Sequence, residues 1–126
     1  MMKTSAKVLV VDDEENLCLL YREELESEGY RVKTAPDAGA AMRMLQEDPP
    51  DVVVMDIRMP RMDGIEAMGK MLNDRRDLPV ILNTAYSSYK DDFRSWPASA
   101  YVIKSSDLSE LKRALVQVLG PARARS

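Results

Sequence analysis

An apolar run that ends in one carboxylate constrains the fold of this chain more than any other feature. Residues 52–55 read VVVM and lead directly into Asp56, with Pro60 and a turn shortly after. A continuous apolar run of this length, rich in β-branched residues, is typical of a strand covered on both faces, as in a parallel sheet. Ligand sites of open parallel sheets lie beyond the carboxyl ends of the strands. The sequence therefore predicts Asp56 at the functional edge of such a sheet.

Reactive side chains also follow three other predicted strands. They are Asp12 and Asp13 after residues 8–11, Thr84 after residues 80–83, and Lys104 after residues 100–103. Because the carboxyl ends of parallel strands share one edge of the sheet, we expect these groups to lie near Asp56.

Helical patterns alternate with the strands along the whole chain. Polar and apolar residues alternate at 31–35, which indicates a half-exposed strand at the sheet edge, and Asp37 and Asp63 have the position of helix N-caps. Right-handed crossovers and one polar edge strand favour a doubly wound, flavodoxin-like (βα)5 fold of the α/β class. We therefore expect a five-stranded parallel sheet in the order 2-1-3-4-5, with helices on both faces.

A helix is also predicted between the fourth and fifth strands. Tyr86, Tyr89, Phe93 and Trp96 follow helical spacing, so at least Phe93 is expected to pack on the sheet. Pro97 is expected to end this helix early, because proline has no N–H to donate. Four aromatic residues exceed what one short helix needs for packing, which makes Tyr86 or Tyr89 a candidate for contact with a partner or a second copy.

Composition limits the chain to one domain and a few classes of function. Its 126 residues, 45% hydrophobic, predict a single domain over residues 1–126, with a core at about 6–119 and a short basic tail at 120–126. A net charge of −3 argues against direct nucleic-acid binding, and the lack of histidine removes the usual zinc ligand. One cysteine, Cys18, is compatible with a reducing cytosol. No apolar run approaches the ~20 residues of a membrane span, so we expect a soluble cytoplasmic protein without membrane contact.

The acids at the predicted edge indicate a divalent ion. Asp12, Asp13 and Asp56 would repel one another in a shared pocket unless a cation were present, and oxygen ligands alone favour Mg²⁺. A plainer alternative is that the first two acids only cap a helix. Beside Mg²⁺, the Asp56 carboxylate could act as a nucleophile toward phosphorus, with Lys104 and Thr84 contacting the phosphoryl oxygens.

Four blocks of residues resemble the receiver domain of bacterial two-component response regulators. They are residues 10–14 (VVDDE), residues 55–64 (MDIRMPRMDG), residues 83–85 (NTA), and Tyr101 with Lys104. The resemblance covers nearly the whole chain and extends to the chemotaxis-regulator-like proteins that consist of a receiver alone. It implies a phosphoaccepting signalling domain that assists its own phosphorylation and dephosphorylation, rather than an enzyme with a separate substrate.

The resemblance also implies a role for each matched residue at the site. Asp56 would accept a phosphoryl group from a phosphohistidine of a sensor histidine kinase or a histidine phosphotransfer protein. Asp13, Asp56 and the backbone carbonyl of Arg58 would bind Mg²⁺, while Asp12 would act through a water. Lys104 would pair with the phosphoryl group.

A conformational switch follows from the same resemblance. Thr84 would move to hydrogen-bond the phosphoryl group, and the ring of Tyr101 would then turn inward. The fourth helix and fifth strand would form the face that controls binding of a downstream protein or self-association. No output domain is expected, because the chain stops soon after its last predicted helix.

The chain departs from the receiver pattern close to the site. Ser105 replaces the usual proline after the lysine, so the Lys104–Ser105 bond is expected to be either trans or strained. Arg58 and Tyr86 are bulky, and we expect them to obstruct the attacking water and prolong the phosphorylated state.

Two other classes of function remain open from the sequence. A Mg²⁺-dependent phosphohydrolase would also use Asp56 as nucleophile, but the position two residues later, where a general acid would stand, is Arg58. A receiver-like interaction domain that is not phosphorylated is disfavoured by the intact acids. A dinucleotide-binding fold fits less well, because the first strand leads into acids rather than a glycine-rich loop.

Overall fold

The computed structural model describes residues 5–120, so residues 1–4 and nearly all of the predicted basic tail lie outside the described part. Its regular elements are β1 Lys7–Val11, α1 Glu15–Ser27, β2 Arg31–Ala35, α2 Ala38–Glu47, β3 Val52–Met55, α3 Gly64–Asp74, β4 Val80–Thr84, β5 Ala100–Ile103 and α4 Ser109–Leu119. The strands form one parallel sheet in the order β2-β1-β3-β4-β5, as predicted. Within residues 5–120, no helix combines the length and the apolar character needed to cross a membrane.

Two apolar clusters cover the two faces of the sheet. In β3, Val52 and Val54 pack with α1 and α4, in what we call the α1–α4 cluster. Val53 and Met55 pack with α2 and α3, in the α2–α3 cluster. All four residues are buried, which explains their continuous apolar sequence. β2 has an alternating exposed and buried pattern, as expected of an edge strand.

Two predicted helix caps are present. The Asp37 carboxylate accepts a hydrogen bond from the Ala40 backbone N–H at 2.8 Å, and Asp63 accepts one from Glu66 at 2.8 Å. Each carboxylate satisfies an N–H that has no partner within its own helix. Asp63 therefore determines where α3 begins, a few residues after Asp56.

The helix predicted between the fourth and fifth strands is wrong. Residues 85–99, which we call the β4–β5 segment, contain two short 3-10 turns, at Ser88–Asp91 and Phe93–Ser95. Phe93 and Trp96 are each 71% exposed, so the expectation that Phe93 packs on the sheet is also wrong. Only Tyr89, among the four aromatic residues of the segment, packs against the α2–α3 cluster.

The local sequence explains why a continuous helix does not form here. At Asp92 the backbone is extended (φ −81°, ψ 116°), and the carboxylate accepts a hydrogen bond from the Arg94 N–H at 3.0 Å. Aspartate competes for backbone N–H groups in this way, which favours turns over helix interiors. Pro97 then ends the second turn, because it has no N–H to continue it.

Candidate functional site

Three carboxylates meet at the carboxyl edge of the sheet. β1 and β3 pair in parallel, with Val11 opposite Met55, so the residues that follow them lie side by side. One carboxylate oxygen from each of Asp12, Asp13 and Asp56 lies within 4.8 Å of the others. The structure therefore brings together the three acids that the sequence predicted to share a site.

The donor set of this cluster fits a hard divalent ion. Asp12 and Asp56 are 2% and 7% exposed, whereas Asp13 is exposed to solvent. Two buried carboxylates with one open side leave room for water ligands, which Mg²⁺ retains when it binds proteins. Oxygen donors without a histidine or thiolate ligand also favour Mg²⁺ over zinc.

Lys104 lies between the two buried acids. Its Nζ is 2.8 Å from Asp12 Oδ2 and 3.4 Å from Asp56 Oδ2. Its backbone N–H donates to the Thr84 carbonyl at 2.7 Å, which ties the end of β5 to the end of β4. The described residues contain no cis peptide bond, so the Lys104–Ser105 bond is trans. Lys104 therefore reaches the acids although proline does not follow it.

Burial and neighbouring charges shift the pKa values of Asp56 and Lys104. Burial raises the pKa of Asp56, the charge of Lys104 lowers it and the charge of Asp12 raises it, and together these effects leave the pKa at about 6. Burial favours the neutral amine of Lys104, but the hydrogen bond to Asp12 and the charges of Asp56 and Asp12 raise its pKa overall. The ammonium is thus held charged beside a carboxylate whose ionisation is costly.

Thr84 ends β4 at the same edge. β3 and β4 pair Met55 with Leu82, which places Thr84 two residues beyond this pair. Its side chain is fully buried, and its hydroxyl oxygen accepts a hydrogen bond from the Tyr86 N–H at 3.3 Å. The hydroxyl is therefore engaged with the start of the β4–β5 segment.

Tyr101 lies on β5 against the same segment. Its hydroxyl donates to the Tyr86 carbonyl at 2.5 Å, and the Lys90 ammonium lies 5.6 Å from the centre of its ring. The ring also packs in part against the α2–α3 cluster. Tyr101 thus contacts the residue whose N–H bonds to Thr84.

The Arg58 side chain, two residues after Asp56, contacts two tyrosines of the β4–β5 segment. Its guanidinium lies over the Tyr86 ring at 4.5 Å, and its Nε donates to the Tyr89 hydroxyl at 3.2 Å. The two tyrosine rings meet edge to face, with their centres 6.4 Å apart. This Arg58–Tyr86–Tyr89 cluster joins the loop after β3 to the β4–β5 segment.

Gly64 is a residue whose role the sequence pattern did not predict. A Cβ added to it would lie 1.9 Å from the Asp56 carbonyl oxygen and 2.8 Å from the Met55 side chain. Its N–H donates to the Ile57 carbonyl at 2.7 Å, so the start of α3 is pressed against the strand end. Only glycine fits this approach. A glycine directly after the Asp63 cap was the one available signal.

Comparison with known proteins gives the family of the chain. The sequence profile of the response regulator receiver domain matches residues 8–116. Regulatory protein AtoC of Escherichia coli K12 is 38% identical over 107 residues, which cover 83% of this chain and 23% of that protein. Response regulator MprA of Mycobacterium ulcerans is 36% identical over 109 residues, which cover 85% of this chain and 47% of that protein. The chain therefore spans about half or less of the length of these relatives.

Solved structures agree with this assignment. Response regulator TrrA of Thermotoga maritima, in complex with Mg²⁺-BeF, is 40% identical with a TM-score of 0.87, over 93% of this chain and 99% of that one. A second structure, of histidine kinase ThkA in complex with TrrA, gives 40% identity and a TM-score of 0.86, over 94% of this chain and 100% of that one. With a matching profile over most of its length and relatives of this identity, the chain belongs to the response regulator receiver domain family.

Proposed function

We propose that this receiver domain accepts a phosphoryl group on Asp56 from the phosphohistidine of a sensor histidine kinase or a histidine phosphotransfer protein. One observation carries the proposal: a buried carboxylate at a strand end shares a cluster within 4.8 Å with two further acids and lies 3.4 Å from a lysine. An acyl phosphate can form there because the Lys104 ammonium, together with a divalent ion held by the acids, would offset the negative charge of the phosphoryl oxygens.

The transfer needs only the donor, the residues of this site and the divalent ion that they would hold. The Asp56 carboxylate oxygen bonds to phosphorus while the phosphorus–nitrogen bond of the donor histidine breaks. The electron pair of that bond stays on the imidazole, which leaves neutral when its other nitrogen already carries a proton. The Lys104 ammonium pairs with a phosphoryl oxygen, and no protein group has to supply a proton.

The acids beside Asp56 would hold Mg²⁺. In this proposal Asp13, Asp56 and the backbone carbonyl of Arg58 are direct ligands, and Asp12 acts through a water. The ion supplies positive charge that neutralises the phosphoryl oxygens. The exposure of Asp13 beside two buried acids supports a partly hydrated ion, because one side of the site is open to water.

Two related structures support the metal and the partner. TrrA has been solved with Mg²⁺ and beryllium fluoride, a group that mimics a phosphoryl group, and also with the histidine kinase ThkA. At 40% identity over nearly the whole domain, the same cofactor and the same kind of kinase are the simplest choice for this chain. The function is therefore phosphorylation-controlled signalling rather than turnover of a separate substrate.

A switch would connect the phosphoryl group to a binding surface. When Thr84 turns toward the phosphoryl group it gives up its contact with the Tyr86 N–H, and the Tyr86 carbonyl holds Tyr101. The surface that changes is β5 together with the β4–β5 segment, in place of the expected fourth helix. A downstream protein or a second copy would bind there, with Tyr86 or Tyr89 in the contact. A two-state shift of this kind typically involves about 1–3 kcal/mol.

Intact mass measurement tests the proposal. The protein is incubated with acetyl phosphate, with and without Mg²⁺, as wild type, Asp56→Asn and Asp77→Asn. Asp77 is an exposed acid before β4 and serves as the matched control. We expect one added phosphoryl group in wild type and in Asp77→Asn, only with Mg²⁺, and none in Asp56→Asn. Absence of uptake by wild type that binds Mg²⁺ would refute the proposal.

A further inference from the structure

A buried polar contact lies behind the site, between β4 and α1. The Asn83 side-chain amide donates to the Tyr21 hydroxyl at 3.1 Å. Asn83 is 3% exposed and Tyr21 is 2% exposed. The chain thus places an amide and a phenol in an interior where burying a polar group without a partner is costly.

The pair lies on the same face of the sheet as the Lys104 side chain. Ile81 and Val102 both belong to the apolar cluster that contains Tyr21, and Asn83 pairs with Val102 across β4 and β5. Asn83 and Lys104 each follow a residue of this cluster by two positions, the spacing that keeps side chains on one face of a strand. The Asn83 amide therefore lies on the same face of the sheet as Lys104 but farther from the carboxyl edge, where it is buried.

The charged groups of the site also influence the pKa of the Tyr21 phenol. Burial raises the pKa of Tyr21, while the charge of Lys104 acts to lower it and the charges of Asp12 and Asp56 act to raise it. Tyr21 is therefore within electrostatic reach of all three groups. Neither Tyr21 nor Asn83 is among the proposed metal ligands or the groups that would contact the phosphoryl oxygens.

The Lys104 ammonium contacts Asp12 and Asp56, so its position also depends on how the long side chain behind it is supported. Ser105 and Ser106, which follow it, are exposed, and the backbone contact of Lys104 to Thr84 fixes the main chain rather than the ammonium. The long side chain must cross from the end of β5 to Asp12, which follows β1. Rigid packing of α1 against β4, on the face of the sheet that carries this side chain, would limit the positions that the ammonium can occupy.

We propose that Tyr21 and Asn83 are positioning residues for phosphoryl transfer, and that their hydrogen bond holds the Lys104 ammonium between Asp12 and Asp56. The inference rests on the proposed function, since it assigns a role within the same reaction. The pair touches neither the donor nor the phosphoryl group. It acts by fixing α1 against β4 on the face of the sheet that carries the lysine, and a displacement of the ammonium by about 1 Å is enough to slow a reaction strongly.

Three variants separate positioning from stability. Tyr21→Phe removes one partner and leaves the amide unsatisfied, which also destabilises the fold. Tyr21→Phe with Asn83→Leu replaces both partners by apolar groups of similar shape, so folding is largely restored while the polar contact stays absent. Tyr30→Phe is the matched control, because Tyr30 is a buried tyrosine of the same cluster that lies before β2, at the opposite end of the sheet.

The measurements are the uptake rate with saturating acetyl phosphate, the Mg²⁺ affinity, the melting temperature and the NMR cross-peaks of the Lys104 ε-methylene. In this reaction Asp56 bonds to phosphorus as the phosphorus–oxygen bond to acetate breaks, and acetate leaves with the electron pair. We expect the double variant to melt near wild type and bind Mg²⁺ within twofold. Its uptake should be about tenfold slower or more, with shifted Lys104 cross-peaks. Tyr30→Phe should match wild type in rate and cross-peaks.

The outcomes distinguish this inference from the proposed function. If wild type takes up no phosphoryl group on Asp56, both are overturned. If wild type and Tyr30→Phe react normally and the folded double variant reacts at the same rate, only the positioning role is overturned. A slower double variant whose Lys104 cross-peaks do not move would also overturn it, because the loss would then not pass through the lysine.

Discussion

Replacing Asp56 by asparagine should stabilise the metal-free domain at neutral pH and leave its stability unchanged at acidic pH. Burial and Asp12 raise the pKa of Asp56 from its ordinary value of 3.8 to about 6. An acid whose pKa is raised in the folded state favours folding in its protonated form. Its contribution is fully present below the unfolded pKa and is lost as the pH rises through the folded pKa.

The magnitude follows from the size of the pKa shift. A shift of about two units corresponds to about 3 kcal/mol, at ~1.4 kcal/mol per unit. Wild type should therefore lose about 3 kcal/mol of stability from Asp56 between about pH 4 and pH 7. The asparagine variant has no ionisable group at position 56, so it does not lose this stability. The difference in unfolding free energy between the two proteins should therefore grow as the pH rises across the same window.

Urea unfolding with a chelator present, at steps from pH 4 to pH 7.5, measures this difference. Asp77→Asn removes one exposed carboxylate at the other end of the sheet and should show no comparable change with pH. Mg²⁺ at neutral pH should reduce the stability difference between wild type and Asp56→Asn, because the ion binds folded wild type better than the variant. A difference between wild type and Asp56→Asn that stays flat with pH would refute the argument that burial makes Asp56 costly to ionise.

Three further outcomes test other parts of the structure. Gly64→Ala should destabilise the domain by about 3 kcal/mol, because its Cβ would meet the Asp56 carbonyl oxygen at 1.9 Å, whereas Gly69→Ala, with open space in α3, should be neutral or stabilising by about 0.5–1 kcal/mol in urea unfolding. Arg58→Ala should shorten the lifetime of the phosphorylated state in a mass-based decay assay, because the guanidinium no longer lies over Tyr86 beside the site; an unchanged decay would contradict the shielding role. Tyr89→Ala should weaken self-association of the phosphorylated domain, measured by sedimentation, or its binding to a downstream protein, measured by pull-down. The surface assignment fails if both are unchanged.

Local patterns in the sequence were enough to predict much of this fold. The four-residue apolar run before Asp56, the alternating edge strand at 31–35 and the caps at Asp37 and Asp63 each depend on neighbours close in the chain. Strand burial, strand exposure and N-cap hydrogen bonds are determined over a few residues, so periodicity and residue type report them directly. The strand order then followed from general rules of connection.

The same local reasoning failed for the β4–β5 segment. Helical spacing of its aromatic residues predicted one helix, but the Asp92 side chain competes for a backbone N–H and Pro97 cannot donate one. The result is two 3-10 turns that leave Phe93 and Trp96 exposed. Periodicity identifies which residues could share a face, but it does not weigh that arrangement against competing side-chain contacts.

The sequence by itself determined that Asp12, Asp13 and Asp56 stand at strand ends, because apolar runs and the residues that end them are local features. The sequence also predicted Lys104 at this edge, but tertiary structure alone decided which atoms meet there. Lys104 contacts Asp12 across 92 residues of chain, Gly64 leaves room for the Asp56 carbonyl, and Tyr21 meets Asn83 in the core. Such contacts depend on packing between elements that are distant in the chain, and no spacing along the sequence encodes a distance in space.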